Sequence, residues 1–373
     1  MLFPIFTLQS TSLLPKNKQI RIVQLIDSLE PGGAERMAVN YANAFLENGY
    51  FSGIISTRAE GTLLQSIATE VAYLYLQRTK IIDPKAWFKA AAFLRKHQVT
   101  HLQVHGTSLF FAVGLKLFIP TMQLIWHDHL GNRPETNKGK FSLQVLTLFA
   151  AKIVVVNEEL EQWAKKVLWR KQIKTVTNFT SVATEVATTI LKGPNAKRMV
   201  CLANLKHPKN HIFILNSFNE SGIHELGWTL HLVGKDFDDA YSQELQQFVE
   251  LNQLEEHVFF YGSCADTASV LKQAAAGILG STSEGFPVTL LEYGSANLAV
   301  IATDVGYTAH LIKTDETGWL IPSNSKEKAI NALKELAINP LKSSILARNL
   351  NIRIESAFSQ EKAMQELIQF IQL

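Results

Sequence analysis

Short apolar segments alternate with helical patterns along the chain, and this alternation constrains the fold more than any other feature. The segment 20–26, IRIVQLI, is typical of a buried parallel strand, and 34–49 has the period and closing glycine of a helix. Because strands that alternate with helices form parallel sheets covered on both faces, we predict an α/β, doubly wound architecture. Further strands of this first series are expected at FSGIIST, THLQVH, MQLIWH and AKIVVVN.

The alternation is interrupted over residues 178–198, where the periodicity is weak and Gly-Pro-Asn occurs near the end. A second series comes after it, with strands expected at MVCLAN, LHLVG, HVFFYG, AGILGS and AVIATD. The sequence therefore predicts two Rossmann-like domains, residues 1–185 and 186–355. Ligands of such sheets bind beyond the carboxyl ends of the strands, so the two domains are expected to face each other across a cleft.

The last segment, residues 356–373, is predicted to be a helix that packs back toward the N-terminal domain. Met364, Leu367, Ile368 and Ile371 share one face of this helical pattern. An amphipathic face of this kind is expected to be buried against another element.

Composition argues against a disulfide-stabilised or membrane-spanning chain. The 373 residues are 47% hydrophobic and 18% charged, and only two are cysteines, Cys201 and Cys264. Both cysteines lie in apolar, strand-like contexts, which indicates a reducing compartment. No apolar run approaches the roughly 18 residues of a membrane span, and the segment 1–18 lacks a basic leader before its apolar residues. We therefore expect a cytoplasmic protein.

The first half of the chain is the basic half. Residues 1–190 contain 21 Lys and Arg against 13 Asp and Glu, although the net charge of the whole chain is only +3. Such a bias suits an acidic acceptor or the inner face of a membrane, but a low acid count in one domain explains it equally well. Trp169 beside Lys165 and Lys166 indicates peripheral membrane contact, and an isolated surface tryptophan is the alternative. No nucleic acid partner is expected.

Two acids eight residues apart flank a helix start in the segment 276–306. AGILG is expected to be a strand, STSEG a turn, and Pro287 the first residue of a helix. Glu284 then lies at the mouth of the helix, and Glu292 lies five residues inside it, roughly 7–8 Å along the axis. Backbone amides at a helix start bind anions, and carboxylates bind vicinal hydroxyls. The order acid, anion site, acid matches the order sugar, diphosphate, ribose.

This segment resembles the signature of glycosyltransferase family 4. The matching residues are Ser281, Glu284, Gly285, Phe286, Pro287, Glu292 and the run VIATDVG at 300–306. The resemblance implies the GT-B fold, a nucleotide-binding C-terminal domain and an acceptor-binding N-terminal domain. It also implies a retaining reaction that uses a nucleoside diphosphate sugar and requires neither a metal nor another cofactor. Glu284 would hold the donor sugar and Glu292 the ribose, with Gly285, Phe286, Pro287 and Val288 around the donor.

Two further stretches resemble donor-binding parts of the family. PGGAER at 31–36 comes after the first strand, and Gly32 and Gly33 would let the backbone approach the donor phosphates. In ANLKHPKNH at 203–211, Lys209 takes the place of the lysine that neutralises the leaving diphosphate. Asn204 stands where the family has an arginine, and a neutral amide does not replace that charge. Lys206 and His207, from the same loop, are candidates to compensate.

Histidines lie at the ends of two strands of the N-terminal half. His105 ends one strand, and His127, Asp128 and His129 end another, so all are expected to face the cleft. The resemblance implies a catalytic position for His127, which we expect Asp128 to orient. His105, His129 and Arg133 are then expected on the acceptor side. A structural histidine and a metal ligand are the alternatives, but alternate residues of one strand supply too few ligands for a metal.

The resemblance implies a hexosyltransferase that acts on a glycan or lipid-linked acceptor in the synthesis of cell-surface polysaccharide. A non-catalytic nucleotide-sugar-binding protein and a sugar-nucleotide epimerase of the same fold remain alternatives. A nicotinamide-dependent oxidoreductase is disfavoured because no G-x-G-x-x-G comes after a predicted strand.

Overall fold

The structure, a computed structural model, describes residues 20–130, 133, 140–180 and 187–373. The N-terminal segment 1–18 and the domain junction expected between residues 185 and 186 lie outside the described residues. The strands, helices and contacts of both lobes are those of the described ranges.

A seven-stranded parallel sheet forms the first lobe. Its strands are β1 (Arg21–Ser28), β2 (Phe51–Ala59), β3 (Ala72–Tyr75), β4 (His101–His105), β5 (Gln123–Asp128), β6 (Lys152–Val155) and β7 (Ile173–Thr175). The strand order is β3-β2-β1-β4-β5-β6-β7, so the order reverses between β1 and β4. The connecting helices are α1 (Gly33–Glu47), α2 (Pro84–Lys96), α3 (Leu109–Leu115), α4 (Lys140–Thr147) and α5 (Glu158–Val167).

A six-stranded parallel sheet forms the second lobe. Its strands are β8 (Arg198–Leu202), β9 (Thr229–Val233), β10 (Val258–Phe260), β11 (Ala276–Leu279), β12 (Ala299–Thr303) and β13 (Trp319–Ile321), in the order β10-β9-β8-β11-β12-β13. Its helices are α6 (His211–Ser221), α7 (Ala240–Leu251), α8 (Thr267–Leu271), α9 (Val288–Ser295), α10 (Thr308–Leu311), α11 (Lys326–Ile338) and α12 (Pro340–Ala357). The two doubly wound lobes face each other across a cleft, which confirms the predicted fold class.

The last helix, α13 (Gln360–Gln372), packs against the first lobe. Met364 and Leu367 are buried in one apolar cluster with Tyr41 of α1 and Val154 of β6. At its far end, Lys152 Nζ donates a hydrogen bond to the carbonyl of Phe370 over 2.5 Å. This contact places the end of the helix on the first sheet.

One polar side chain ties α9 to the second sheet. The Tyr293 ring is fully buried, and its hydroxyl accepts a hydrogen bond from the Leu202 amide at 2.7 Å. The same hydroxyl lies 3.1 Å from the carbonyl of Val200 and 3.2 Å from that of Ile278. These groups belong to β8 and β11, the two strands between which the order of the second sheet reverses. The tyrosine therefore fixes α9 at the point where such folds bind ligands.

Two elements differ locally from expectation. Helix α5 ends at Val167, so Trp169 lies beyond the helix and not on its polar side. Helix α9 begins at Val288, one residue later than expected. Pro287 is the N-cap residue, because its ψ of 101° is extended and not helical. Among the described residues, none of the helices combines the length and the apolar character needed to cross a bilayer.

We expect Tyr293→Phe to lower the free energy of unfolding by about 1–3 kcal/mol, because the buried Leu202 amide loses its acceptor. Urea unfolding of the full chain measures the effect. Tyr75→Phe is the matched control, since its hydroxyl bonds to Arg58 at an exposed position. Equal stability of the two variants would contradict the anchoring role of Tyr293.

Candidate functional site

Two adjoining cavities lie between the lobes. The smaller has a volume of about 200 Å³ and the larger about 880 Å³. Both are lined by residues of α1 and of the second lobe, and five residues line both cavities: Gly33, Lys206, Lys209, Val288 and Thr289. Gly33 of α1, the loop that contains Lys206 and Lys209, and the start of α9 therefore form the partition between them.

Glu284 and Glu292 lie on opposite sides of this partition. Glu284 lines the larger cavity and Glu292 the smaller, and their side chains are 10% and 18% exposed. Neither carboxylate is sealed in an apolar interior, because each borders a cavity between the lobes. The backbone amides that begin α9 lie between the two carboxylates.

Glu284 is held in place by an ion pair and by its own turn. Its Oε1 lies 2.6 Å from Lys209 Nζ and accepts a hydrogen bond from Ser281 Oγ, also over 2.6 Å. Behind the turn, Gly306 has φ +55°, and a Cβ at that position would lie 1.9 Å from the carbonyl oxygen of Glu284. Only glycine meets both the conformational and the steric demand, so the glycine that closes the run 300–306 shapes the turn that presents Glu284.

The smaller cavity contains an arginine that was not singled out from the sequence. Arg36 Nη2 donates to Thr267 Oγ1 over 3.0 Å, and its Nε lies 3.5 Å from Glu292 Oε1. Arg36 comes one helical turn after Gly33, on the α1 face that borders the cavity. Its spacing from the glycine pair was the signal that could have identified it.

Asn204 lies in the smaller cavity, but its amide is used to join the lobes. Its Nδ2 donates to the carbonyl of Pro31 over 2.7 Å, and its Oδ1 accepts from the Lys235 amide over 2.9 Å. Of the two candidates to replace the missing charge, Lys206 lines both cavities, whereas the His207 ring lies against Tyr241 at a centroid distance of 4.4 Å.

The glycine pair and the loop before α9 both border the cavities. Gly32 and Gly33 line the smaller cavity, and Gly285, Pro287 and Val288 line the larger one. Phe286 also borders the larger cavity, but its ring is only 5% exposed and stacks on Tyr307 at 4.8 Å. We therefore assign the Phe286 side chain to packing.

The prediction for His127 and Asp128 is wrong in its geometry. His127 is fully buried beneath the cavity wall, where its Nδ1 lies 2.9 Å from Gln103 Nε2. Asp128 points the opposite way, since successive side chains of a strand alternate between its faces. Its carboxylate accepts hydrogen bonds from Arg133 Nε at 2.8 Å and Nη2 at 2.7 Å, so it orients Arg133 and not His127.

His105 and His129 do line the larger cavity, and with His127 they form a buried cluster. His105 Nδ1 lies 2.8 Å from His129 Nε2, and the His127 and His129 rings stack at 4.2 Å. We expected too few ligands for a metal because only the histidines of one strand were counted. In the folded sheet β4 pairs with β5, and this pairing adds His105 as a third imidazole. In this arrangement the facing nitrogens of His105 and His129 are engaged with each other, so we propose no metal.

Burial keeps these three imidazoles neutral. It lowers the pKa of His129 to about 3, and it lowers the pKa values of His105 and His127 well below the usual value, with help from neighbouring imidazoles. Among the described residues, His127 Nε2 and His129 Nδ1 have no hydrogen-bond partner. A second proton on any of the three rings would create a buried positive charge, which is energetically unfavourable.

Two further acids line the larger cavity near α1 and were not identified from the sequence. Burial raises the pKa of the Glu35 carboxyl, which lies next to Gly32. Burial also acts to raise the pKa of Asp27, but hydrogen bonds from Thr57 and Thr107 and the charge of Arg78 outweigh it, so the net pKa is lowered. Asp27 lies just after the core of β1, where the strand order reverses, a position that could have marked it.

Family models match both lobes. The model described as Glycosyltransferase Family 4 matches residues 31–183, and the model described as Glycosyl transferases group 1 matches residues 185–355. An uncharacterized glycosyltransferase of Haemophilus influenzae is 24% identical over 323 residues, which cover 83% of this chain and 88% of that protein. The lipopolysaccharide core biosynthesis mannosyltransferase LpcC of Rhizobium leguminosarum bv. viciae is 23% identical over 171 residues, 45% of this chain and 49% of that protein.

Solved structures match nearly the whole chain. HepE of Anabaena in complex with UDP-glucose has a TM-score of 0.78 at 17% identity, with 95% of this chain and 100% of that chain covered. The pneumococcal O-GlcNAc transferase GtfA in complex with UDP and GlcNAc has a TM-score of 0.71 at 13% identity, covering 95% of this chain and 99% of that chain. Fold and site thus define a GT-B glycosyltransferase. The chain belongs to glycosyltransferase family 4 and is a transferase.

We expect the free energy of unfolding to fall as the pH is lowered from 6.5. Below that pH an unfolded His129 binds a proton, whereas the folded one does not until about pH 3. Each such histidine contributes up to about 1.4 kcal/mol per pH unit. Urea unfolding between pH 7 and pH 5 measures the slope.

His129→Asn should make this pH dependence shallower, because unfolding would then take up one proton fewer. Gln123→Asn, an exposed substitution in the strand before His129 that removes no titratable group, is the control and should keep the wild-type slope. An unchanged slope in His129→Asn would refute the neutral buried state of the cluster.

Proposed function

We propose that the protein transfers a hexose, with retention of anomeric configuration, from a nucleoside diphosphate sugar to a glycan or lipid-linked acceptor. The observation that carries the proposal is the placement of Glu284 and Glu292 in adjoining cavities, with Lys209 and the start of α9 between them. This arrangement has the order of charges that a nucleotide sugar requires.

The donor lies across the partition in this proposal. The nucleoside occupies the smaller cavity, where Glu292 accepts hydrogen bonds from the ribose hydroxyls. The diphosphate lies at the start of α9, next to Lys209 and near the backbone of Gly32 and Gly33. Arg36, delivered by the opposite lobe, supplies positive charge in the cavity where Asn204 has none. The hexose then enters the larger cavity beside Glu284.

Catalysis in this proposal is electrostatic. The bond between C1 of the sugar and the β-phosphate oxygen breaks, and the Lys209 ammonium stabilises the negative charge that develops on the leaving diphosphate. The acceptor hydroxyl attacks C1 from the same face, and the leaving phosphate oxygen takes its proton. Glu284 holds the sugar hydroxyls of an oxocarbenium-like transition state. No step uses a metal or another cofactor.

His105, His129 and Arg133 border the other side of the larger cavity, where we place the acceptor. Both ring nitrogens of His105 are engaged, Nδ1 with His129 Nε2 and Nε2 with Gln24 Oε1, each at 2.8 Å. In this proposal His105 therefore holds the His129 ring in place at the acceptor side, and Arg133 lines the same cavity. The names of the relatives support a hexose donor, since HepE was solved with UDP-glucose and LpcC is described as a mannosyltransferase of lipopolysaccharide core biosynthesis. We accordingly place the reaction in cell-surface polysaccharide synthesis, at the cytoplasmic face of the membrane.

We expect Glu292→Gln and Glu284→Gln to affect different steps. Glu292→Gln should weaken UDP binding on the order of tenfold, because the charge-assisted hydrogen bonds to the ribose are lost. Glu284→Gln should leave UDP binding within about twofold and lower the turnover of UDP-glucose at least tenfold, since its contacts strengthen in the transition state. Calorimetric titration with UDP and release of UDP from UDP-glucose measure the two effects.

Glu255→Gln, at an exposed position of the second lobe, is the matched control and should match the wild type in both assays. Wild-type UDP binding and turnover in both Glu292→Gln and Glu284→Gln would contradict the proposed roles of these residues in donor binding. Isomerised donor without transfer would instead indicate an epimerase.

A further inference from the structure

The larger cavity changes character along its length. At one end it is lined by the paired charges of Glu284 and Lys209. Glu35 of α1 and Asp27 of β1 line it along the first lobe, where Asp27 accepts a hydrogen bond from Thr107. At the opposite end its wall includes a group of hydrocarbon and indole side chains from α3, β5 and the residues after it, α4 and α5. These residues are Leu109, Phe110, Trp126, Leu130, Leu143, Leu146 and Trp163.

Within the apolar end, Asp128 and Arg133 form an ion pair with each other. Asp128 and Arg133 neutralise each other through two hydrogen bonds, and the Arg133 guanidinium lies over the Trp163 ring at 5.0 Å. Lys140, at the start of α4, adds a positive charge at the rim. A free oligosaccharide would find few hydrogen-bond partners among these hydrocarbon and indole side chains, and burial of unpaired hydroxyls is unfavourable.

Two apolar side chains of the wall remain substantially exposed to water. Phe110 is 42% exposed and Leu130 53% exposed, and both border the cavity. An apolar ligand chain that covered them would gain the free energy of removing that surface from water. Binding of a hydrocarbon chain along this wall is therefore favoured.

The apolar end opens onto a surface that combines aromatic and basic residues. Lys140 and Ser142 line the cavity, and Phe141 between them is 69% exposed. Its ring meets the ring of Trp169, itself 48% exposed, edge to face at 6.0 Å. Lys165, Lys166 and Lys171 lie on the neighbouring end of α5 and the loop after it. Exposed aromatic rings among lysines suit the interface of an anionic bilayer.

We infer that the acceptor is a lipid-linked sugar. Its saccharide head reaches Glu284, its hydrocarbon chain lies along the wall of α3 and α4, and the Phe141–Trp169 surface rests on the membrane that supplies it. The charge fits as well, because an anionic linkage between sugar and lipid would meet Lys140 at the rim. This inference rests on the proposed glycosyltransfer and decides between the two acceptor classes that it allows.

Alkyl maltosides of increasing chain length, below their critical micelle concentrations, are the probes for the cavity. Methyl, octyl and decyl maltoside have the same head, so any gain with length reports burial of the chain. We expect about a fourfold gain in affinity per methylene buried. UDP titration of the same full-length protein is the parallel measurement.

The double variant Phe110→Gln/Leu130→Gln should lose the dependence on chain length and keep its affinity for UDP. Phe237→Gln/Leu226→Gln is the matched control, since these residues are 46% and 51% exposed on the second lobe. The control should retain the wild-type dependence on chain length.

The outcomes separate the two proposals. No dependence on chain length in the wild type, with UDP still bound, would overturn the lipid-linked acceptor and leave the donor site standing. Equal loss in both double variants would also overturn it. A chain-length dependence without UDP binding would refute the donor proposal while the apolar cavity remained a lipid site.

The membrane surface is tested by flotation with vesicles of phosphatidylcholine, alone or with phosphatidylglycerol. Phe141→Ser/Trp169→Ser should lower the fraction bound to the anionic vesicles at least threefold, whereas Phe237→Gln/Leu226→Gln should bind as the wild type does. Wild-type flotation of the first variant would show that this surface does not face the membrane.

Discussion

The ion pair between Lys209 and Glu284 is the contact on which the site depends. It joins a loop after the first strand of the second lobe to the turn before α9, at the point where the two cavities meet. Both side chains are less than a quarter exposed, so each charge has lost much of its hydration and needs the other. The backbone behind the pair is fixed by Gly306, and the helix beyond it by Tyr293. A diphosphate that approaches the start of α9 therefore meets an ammonium group that is already in position.

The second property of the site is that it belongs to both lobes. Arg36 reaches from α1 to Thr267 and Glu292, and Asn204 reaches back to Pro31. An arginine at position 204 would extend from the second lobe, whereas Arg36 brings its charge from the first. In the proposed mechanism the diphosphate meets positive charge from both lobes, Lys209 from one and Arg36 from the other, only when the lobes are together. That mechanism couples donor binding to closure of the cleft, since either one favours the other.

The sequence predicted most of what depends on local pattern. Alternating strands and helices give the two sheets, and the motif of 281–306 places the two glutamates, because each position is set by the spacing of residues along one element. Contacts between elements were harder to predict from the sequence. His127 was expected in the cleft and is buried, since a strand end does not reveal which of its alternating side chains faces the cavity. The bond of Asp128 to Arg133, the approach of His105 to His129, and the placement of Arg36 all depend on how neighbouring strands and opposite lobes meet. The ring of Phe286 is turned into the core by Tyr307, which lies 21 residues further along the chain.

The most direct test of the account is a crystal structure of the protein soaked with UDP-glucose. We predict the ribose within hydrogen-bonding distance of Glu292, the diphosphate between Lys209 Nζ, the Arg36 guanidinium and the first amides of α9, and the glucose beside Glu284 in the larger cavity. A nucleotide in the reverse orientation, or bound away from the start of α9, would contradict the account.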